Sequence, residues 1–369
     1  MNRRHFALIV ILSLLAPLAR AREKWTPEQA QTWGKQMPWL VGSNFSPSTA
    51  SNELEMWQAD TFDLPTIDRE LGWAEGLGFT SVRVFLHDLL WKQDSKGFLD
   101  RMDQFLAVAD KHHLGVDFVL FDSCWDPHPV LGKQKDPRPG LHNSRWVQSP
   151  GVDLLTQPGV WEADLKPYVV GVVSRFKDDK RVHFWEPINE PDNTNGSSYG
   201  AQEPKDKPEL ARQLLLKVYA WAREANPAQP LTSGVWKGNW GDPAKLSPME
   251  QVQLNESDVI SFHSYAKLPE MKLCVEHLRR YNRPILCTEY MARPNGSTFD
   301  PILGYLKEQH VAAYNWGFVA GRTNTIYAWD TWKKPAATEP KLWFHDIFRR
   351  DGTAFDRKEV EYIRKVTGK

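Results

Sequence analysis

The chain has 369 residues, of which 41% are hydrophobic and 25% are charged, a composition that is ordinary for a globular protein with a substantial core. Its formal net charge at pH 7 is zero. This balance argues against a basic surface for nucleic acid and against an acidic tail for a cationic partner.

The first 21 residues have the pattern of an export signal. Arg3 and Arg4 precede an apolar run at 6–18, and residues 19–21 have the A-x-A form of a cleavage site. The run is shorter than the roughly 20 residues that span a bilayer, and the paired arginines resemble a twin-arginine signal. We therefore expect a signal peptide at 1–21, a mature domain at 22–369, export to the periplasm or the medium, and no membrane attachment once the signal is removed.

Short apolar runs alternate with helical patterns along the mature chain. The predicted strands lie at 39–45, 81–86, 115–121, 182–188, 230–236, 258–263, 284–288 and 311–318. The predicted helices lie at 64–77, 98–112, 163–176, 207–225, 271–281 and from about 357 onward. Eight alternating units without an internal repeat or linker predict a single-domain (β/α)8 barrel, or TIM barrel, with long loops after its strands.

At the ends of most predicted strands, or just beyond them, stand polar or aromatic residues rather than ordinary turn residues. These residues are Asn44, Arg83, His87, Asp122, Trp125, Asn189, Glu190, Trp236, His263, Tyr265, Glu289 and Trp316. The carboxyl ends of the strands form the active-site face of such a barrel, so we expect these side chains to converge there. The chain also has 17 tryptophans, and an indole ring is suited to stacking on a sugar ring. We expect about two-thirds of them to lie in the core.

Two glutamates stand where an apolar strand gives way to a loop. Glu190 ends the segment Trp185-Glu186-Pro187-Ile188-Asn189-Glu190, and Glu289 follows Ile285-Leu286-Cys287-Thr288. Glycosidic bond cleavage needs two carboxyl groups, about 5–5.5 Å apart in retaining enzymes and roughly 6.5–9.5 Å apart in inverting ones. Pro187 removes a backbone donor, so a bulge or an early strand end is expected there. Glu186 is expected to be a buried, paired structural group.

These motifs resemble those of the clan A glycoside hydrolases, in particular the cellulase-like family 5. The resemblance rests on the N-E-P ending at 189–191, on Thr288-Glu289, on the H-x-Y element at 263–265, and on Arg83. It implies that Glu190 is the general acid/base and that Glu289 is the nucleophile. It also implies that Asn189 bonds the sugar 2-hydroxyl, that Arg83 and Tyr265 keep Glu289 ionised, that His263 orients the site, and that Trp316 stacks on the substrate.

The resemblance implies a retaining β-glycoside hydrolase that acts on a β-linked glucan, xylan or mannan without cofactor or metal. The further substrate-binding candidates are Asn44, Trp125, Trp236 and Trp329. Two alternatives remain open, namely a catalytically silent carbohydrate-binding barrel and a metal-dependent hydrolase on the same fold. Long loops at 46–63 and 124–151 are candidates for closing the cleft into a pocket that favours chain ends. Whether two of the three cysteines form a disulfide is left open.

Overall fold

A computed structural model describes residues 21–369, so the predicted signal lies outside the described residues except for Ala21. Seven parallel strands form one curled sheet in the order β4-β3-β2-β1-β7-β6-β5. They are β1 (Val41–Asn44), β2 (Ser81–Phe85), β3 (Gly115–Asp122), β4 (Val182–Asn189), β5 (Ile260–His263), β6 (Ile285–Tyr290) and β7 (Ala312–Asn315). The predicted runs are thus strands at seven of eight positions.

Helices follow the strands and surround the sheet. They are α1 (Pro27–Gln36), α2 (Glu53–Trp57), α3 (Leu64–Gly76), α4 (Asp88–Lys111), α5 (Val152–Leu155), α6 (Trp161–Asp164), α7 (Lys166–Phe176), α8 (Lys207–Glu224), α9 (Pro248–Glu256), α10 (Leu268–Leu278), α11 (Phe299–Glu308) and α12 (Arg357–Thr367). All six predicted helices are present. Among the described residues, no helix is long and apolar enough to cross a membrane.

The segment predicted as the fifth strand is the exception. Only two isolated parallel bridges form there, from Leu231 to Trp185 of β4 and from Val235 to Phe262 of β5. The prediction of a regular strand at 230–236 is therefore wrong. Because the segment bridges both edge strands of the sheet, it closes the circle, and the predicted (β/α)8 barrel is confirmed.

The expectation of a bulge or strand end at Pro187 is also wrong, since β4 runs through it to Asn189. The register shift between β3 and β4 lies at the other end, next to Val116. Trp185 donates its backbone N–H to Pro230 of the fifth segment. Backbone donors alternate between the two neighbours of a strand, so the missing donor of Pro187 falls on that same, weakly paired side.

The core lies between the sheet and the helices, and a smaller apolar cluster closes the barrel beneath. In that cluster, Ala30 of α1 packs with Leu40, Phe184 and Tyr314. Eight of the 17 tryptophans are buried, fewer than the two-thirds expected. All three cysteines, Cys124, Cys274 and Cys287, are free thiols.

Candidate active site

Glu190 and Glu289 meet at the carboxyl ends of β4 and β6. Glu190 directly follows β4 with a left-handed backbone, φ +41°, while Glu289 is the penultimate residue of β6. One carboxylate oxygen of each glutamate and one ring nitrogen of His263 lie within 4.8 Å of one another. The nearest oxygens of the two carboxyl groups are therefore at a separation that the retaining geometry allows.

Two side chains donate hydrogen bonds to Glu289, one from a strand and one from a loop. The Arg83 guanidinium, on β2 and fully buried, donates from Nη1 to Oε1 of Glu289 at 3.0 Å. The Tyr265 hydroxyl, in the loop after β5, donates to Oε2 at 2.7 Å. A positive charge and two donors stabilise the ionised carboxylate, which is the form a nucleophile needs.

Glu190 has neutral partners instead. Its Oε2 accepts from the Asn193 amide at 2.8 Å and from the Cys124 thiol at 3.4 Å. Its Oε1 lies 2.9 Å from Nδ1 of His263, and which of the two groups donates depends on the tautomer of His263. None of these partners brings a full charge to the carboxyl group as long as His263 is neutral.

Burial sets the protonation of this cluster. Desolvation raises the pKa of Glu190 and lowers that of His263, so burial favours the neutral form of both groups. Desolvation also raises the pKa of Glu289, and its position beside Glu190 adds to the rise, while His263, Arg83 and Tyr265 act against it. Arg83 donates to Glu289 and not to Glu190, so a proton shared by the two carboxyl groups is more stable on Glu190.

Arg83 also organises the floor beneath the two glutamates. It donates to Glu186 Oε2 at 2.9 Å, to Asn44 Oδ1 at 2.5 Å and to Asn189 Oδ1 at 2.8 Å. Glu186 is completely buried, as expected of a paired structural group. The Asn189 amide donates in turn to Asp122, which fixes its orientation.

The site opens into a cavity of about 280 Å³. The predicted residues that line it are Trp125, Asn189, Glu190, Trp236, Tyr265, Glu289, Trp316 and Trp329. Asn44, Arg83 and His263 do not line it. Arg83 and His263 bond to the two lining glutamates, and Asn44 accepts a hydrogen bond from Arg83. Cys124, His142, Asn143 and Asn193 line the cavity although sequence reasoning did not select them. Asn193 and Cys124 carried a usable signal, since Asn193 stands three residues after Glu190 and Cys124 lies between Asp122 and Trp125.

The same three groups, Glu190, His263 and Glu289, are spaced as potential metal ligands. However, His263 and Glu190 already contact each other at 2.9 Å, and Arg83 places a positive charge 3.0 Å from Glu289. A cation would have to break the first contact and would be repelled by the second group. The arrangement therefore suits proton transfer and nucleophilic attack better than metal binding.

Comparison with known proteins supports the fold assignment. No protein-family model and no curated protein sequence matches the chain. Among solved structures, it is similar to a GH5_18 protein from Streptomyces cattleya in complex with GlcNAc (14% identity, TM-score 0.57, covering 89% of this chain and 80% of that one). It is also similar to an exo-β-1,4-mannosidase from Opitutaceae bacterium strain TAV5 (18%, 0.56, 89% and 59%) and to an endo-1,4-β-mannanase from Rhizomucor miehei (13%, 0.53, 89% and 98%). At these identities, the likeness shows a shared barrel fold.

Proposed function

We propose that the protein is a retaining β-glycoside hydrolase of the family 5 type, exported as a mature domain at 22–369. The observation that carries this proposal is the approach of Glu190, Glu289 and His263 within 4.8 Å at the mouth of a barrel. The electrostatic difference between the two glutamates supports it, because one has a cationic partner and the other does not.

In the first step, the Glu289 carboxylate attacks the anomeric carbon while the glycosidic C–O bond breaks. Glu190 gives its proton to the departing oxygen, so the leaving sugar departs as an alcohol. In the second step, Glu190 takes a proton from water, the resulting nucleophile attacks the same carbon, and the bond to Glu289 breaks. Two inversions give net retention, and we assign the Asn189 amide, which lines the cavity, to binding the 2-hydroxyl.

The substrate class that we propose is a β-linked mannan, glucan or xylan oligosaccharide. Trp125, Trp236, Trp316 and Trp329 give the cavity flat apolar faces, which suit the C–H faces of pyranose rings. Several of the similar solved structures are named as mannanases or mannosidases, so β-mannosides are the first compounds to test.

The test is hydrolysis of aryl β-mannoside, β-glucoside and β-xyloside by the mature protein, with the anomer of the first product read by NMR. We expect retention, and a loss of most activity in Glu289→Gln but not in Glu276→Gln, which changes an exposed glutamate of α10. Inversion would contradict the assignment of Glu289. Saccharide binding without turnover would favour the silent barrel, and loss of activity in EDTA would favour the metal-dependent alternative.

A further inference from the structure

Two loops above the barrel interlock along one side of the cavity. The loop after β3 and the loop after β7 are joined by backbone bonds from Asn143 N to Thr323 O at 3.0 Å and from Ala336 N to Gly140 O at 2.9 Å. Side chains add further links, including Trp332 Nε1 to the His142 carbonyl at 2.9 Å. We call residues 138–146 together with 323–336 the wall.

The wall is closely fitted rather than loosely apposed. Gly140 has φ +68°, and a Cβ there would lie 1.9 Å from the Ala336 carbonyl oxygen, so only glycine permits the contact. His142, Asn143 and Ser144 are each 1% exposed. The loop at 46–63, one of the two expected to close the cleft, does not line the cavity. The segment that joins the β3 loop comes instead from beyond β7.

The face that the wall turns to the cavity is aromatic. Trp125, His142 and Trp329 all line the cavity, and Trp332 stacks behind Trp125 with ring centroids 5.7 Å apart. Tyr199, from the loop after β4, packs edge-on against Trp332 at 5.1 Å. Three loops thus meet at this side of the cavity.

His142 supplies the wall with a defined hydrogen-bond acceptor. Its Nδ1 lies 2.7 Å from the Tyr327 carbonyl oxygen, so Nδ1 carries the hydrogen and Nε2 keeps its lone pair. Burial lowers the pKa of His142 to about 4, and the ring is neutral above that pH. A neutral acceptor between two tryptophans suits a sugar hydroxyl better than an anion.

The cavity continues at Trp236 and Tyr265. A second cavity of about 370 Å³ adjoins the first and shares Trp236 and Tyr265 with it. Trp236 donates to Asp192, two residues beyond Glu190, so this second cavity begins near the group that protonates the departing sugar. Trp329 of the wall packs against Tyr265, which holds Glu289.

We infer that the protein removes short units from the ends of β-linked chains, with the terminal sugar against the wall and the departing chain running past Trp236. His142 is then a specificity-determining residue that accepts from a hydroxyl of the terminal sugar. This inference rests on the proposed function. A cavity of about 280 Å³ is small for a ligand site, which agrees with a short saccharide on the closed side.

The test uses the mature protein with β-1,4-linked mannopentaose, cellopentaose and xylopentaose, and with the corresponding polymers. We expect the earliest products to be one short saccharide and its complement, and polymer viscosity to stay nearly constant while reducing ends accumulate. Early mixtures of all lengths with a rapid fall in viscosity would overturn the inference and leave the hydrolase intact. Absence of hydrolysis, with aryl glycosides included, would overturn the proposed function and this inference with it.

Two variants test the wall itself. Gly140→Ala loosens the contact with Ala336 without changing a cavity side chain, and we expect a larger share of internal cleavage. His142→Ala removes the acceptor, and kcat/KM on the terminal-sugar substrate should fall about three- to tenfold, while His142→Gln should recover part of it. Unchanged product patterns in Gly140→Ala, with an unchanged melting temperature, would contradict the role of the wall.

Discussion

The buried guanidinium of Arg83 is the group on which the candidate site depends most. Its side chain is completely buried, and it forms ion pairs with Glu186 and Glu289. Replacement by methionine keeps a long side chain but removes the charge and every donor. Both carboxyl groups then remain inside the barrel without their cation.

Breaking a buried ion pair by removing one partner typically costs about 3–5 kcal/mol, because an uncompensated charge is left behind. Arg83 forms ion pairs with two carboxyl groups. The energies lost when the two pairs are broken do not simply add, because both pairs share one residue. We therefore expect Arg83→Met to lower the free energy of unfolding by about 3–5 kcal/mol near neutral pH. Without Arg83 the pKa of Glu289 rises further, so a proton neutralises it more readily and the deficit becomes smaller as the pH falls.

The measurement is urea unfolding followed by tryptophan fluorescence at pH 5 and pH 8, with Lys96→Met as the control. Lys96 pairs with Asp100 on an exposed face, so its loss should have no measurable effect. A deficit below about 1 kcal/mol at pH 8 would refute the argument, because it would mean that the carboxyl groups are solvated or already neutral. If the loss of unfolding free energy in Arg83→Met were larger at pH 5 than at pH 8, the expected direction of the pH dependence would be wrong.

Three further outcomes follow from the same geometry. In steady-state kinetics, Glu190→Gln should lower kcat roughly 10²–10⁴-fold on substrates with poor leaving groups and much less on dinitrophenyl glycosides. An equal loss on both kinds of substrate would contradict the role of Glu190 as the acid. The rate should depend on pH with two limbs, falling at low pH as Glu289 gains a proton and at high pH as Glu190 loses its own. Cys124→Ala removes a donor that lowers the pKa of Glu190, so the upper limb should move to higher pH in a kcat/KM profile, whereas Cys274→Ala should leave it unchanged.

Much of the fold was predictable because parallel strands buried on both faces are continuous apolar runs. β3 contains such a run at 118–121 and β6 begins with one at 285–287. The segment 230–236 misled the prediction, since it is apolar only at its ends and carries Thr232, Ser233 and Gly234 in the middle. There, side chains replace ladder bonds, as when the Ser233 hydroxyl donates to the Ile188 carbonyl at 2.9 Å.

The candidate site was predictable mainly at the strand ends and among the aromatic residues of the loops. The rule that strand ends converge located Glu190, Glu289 and Tyr265, because the strands themselves fix those positions. His142 reaches the cavity only through contacts between loops that are distant in the chain. Arg83 and Asn44 show the opposite error. Their strand-end positions suggested contact with substrate, but both side chains are buried inside the barrel and hydrogen-bond to other protein groups.

The backbone of Glu190 gives a last test of whether the site is built at the expense of stability. With φ +41°, it lies in a region that costs a non-glycine residue roughly 1–2 kcal/mol. Glu190→Gly and Glu190→Ala both remove the carboxyl group, but only glycine relieves the backbone. The greater unfolded-state entropy of glycine offsets roughly 0.5–1 kcal/mol of that relief.

We therefore expect Glu190→Gly to be more stable than Glu190→Ala by up to about 1 kcal/mol in urea unfolding, the reverse of their order within a helix. The comparison isolates the backbone, because the lost bonds to Asn193, Cys124 and His263 are common to both variants. If alanine proved the more stable, Glu190 would not be strained, and its left-handed turn would be a relaxed feature of the loop. If the glycine variant proved the more stable, Glu190 would be strained, and this strain would result from turning its carboxyl group from the end of β4 towards Glu289.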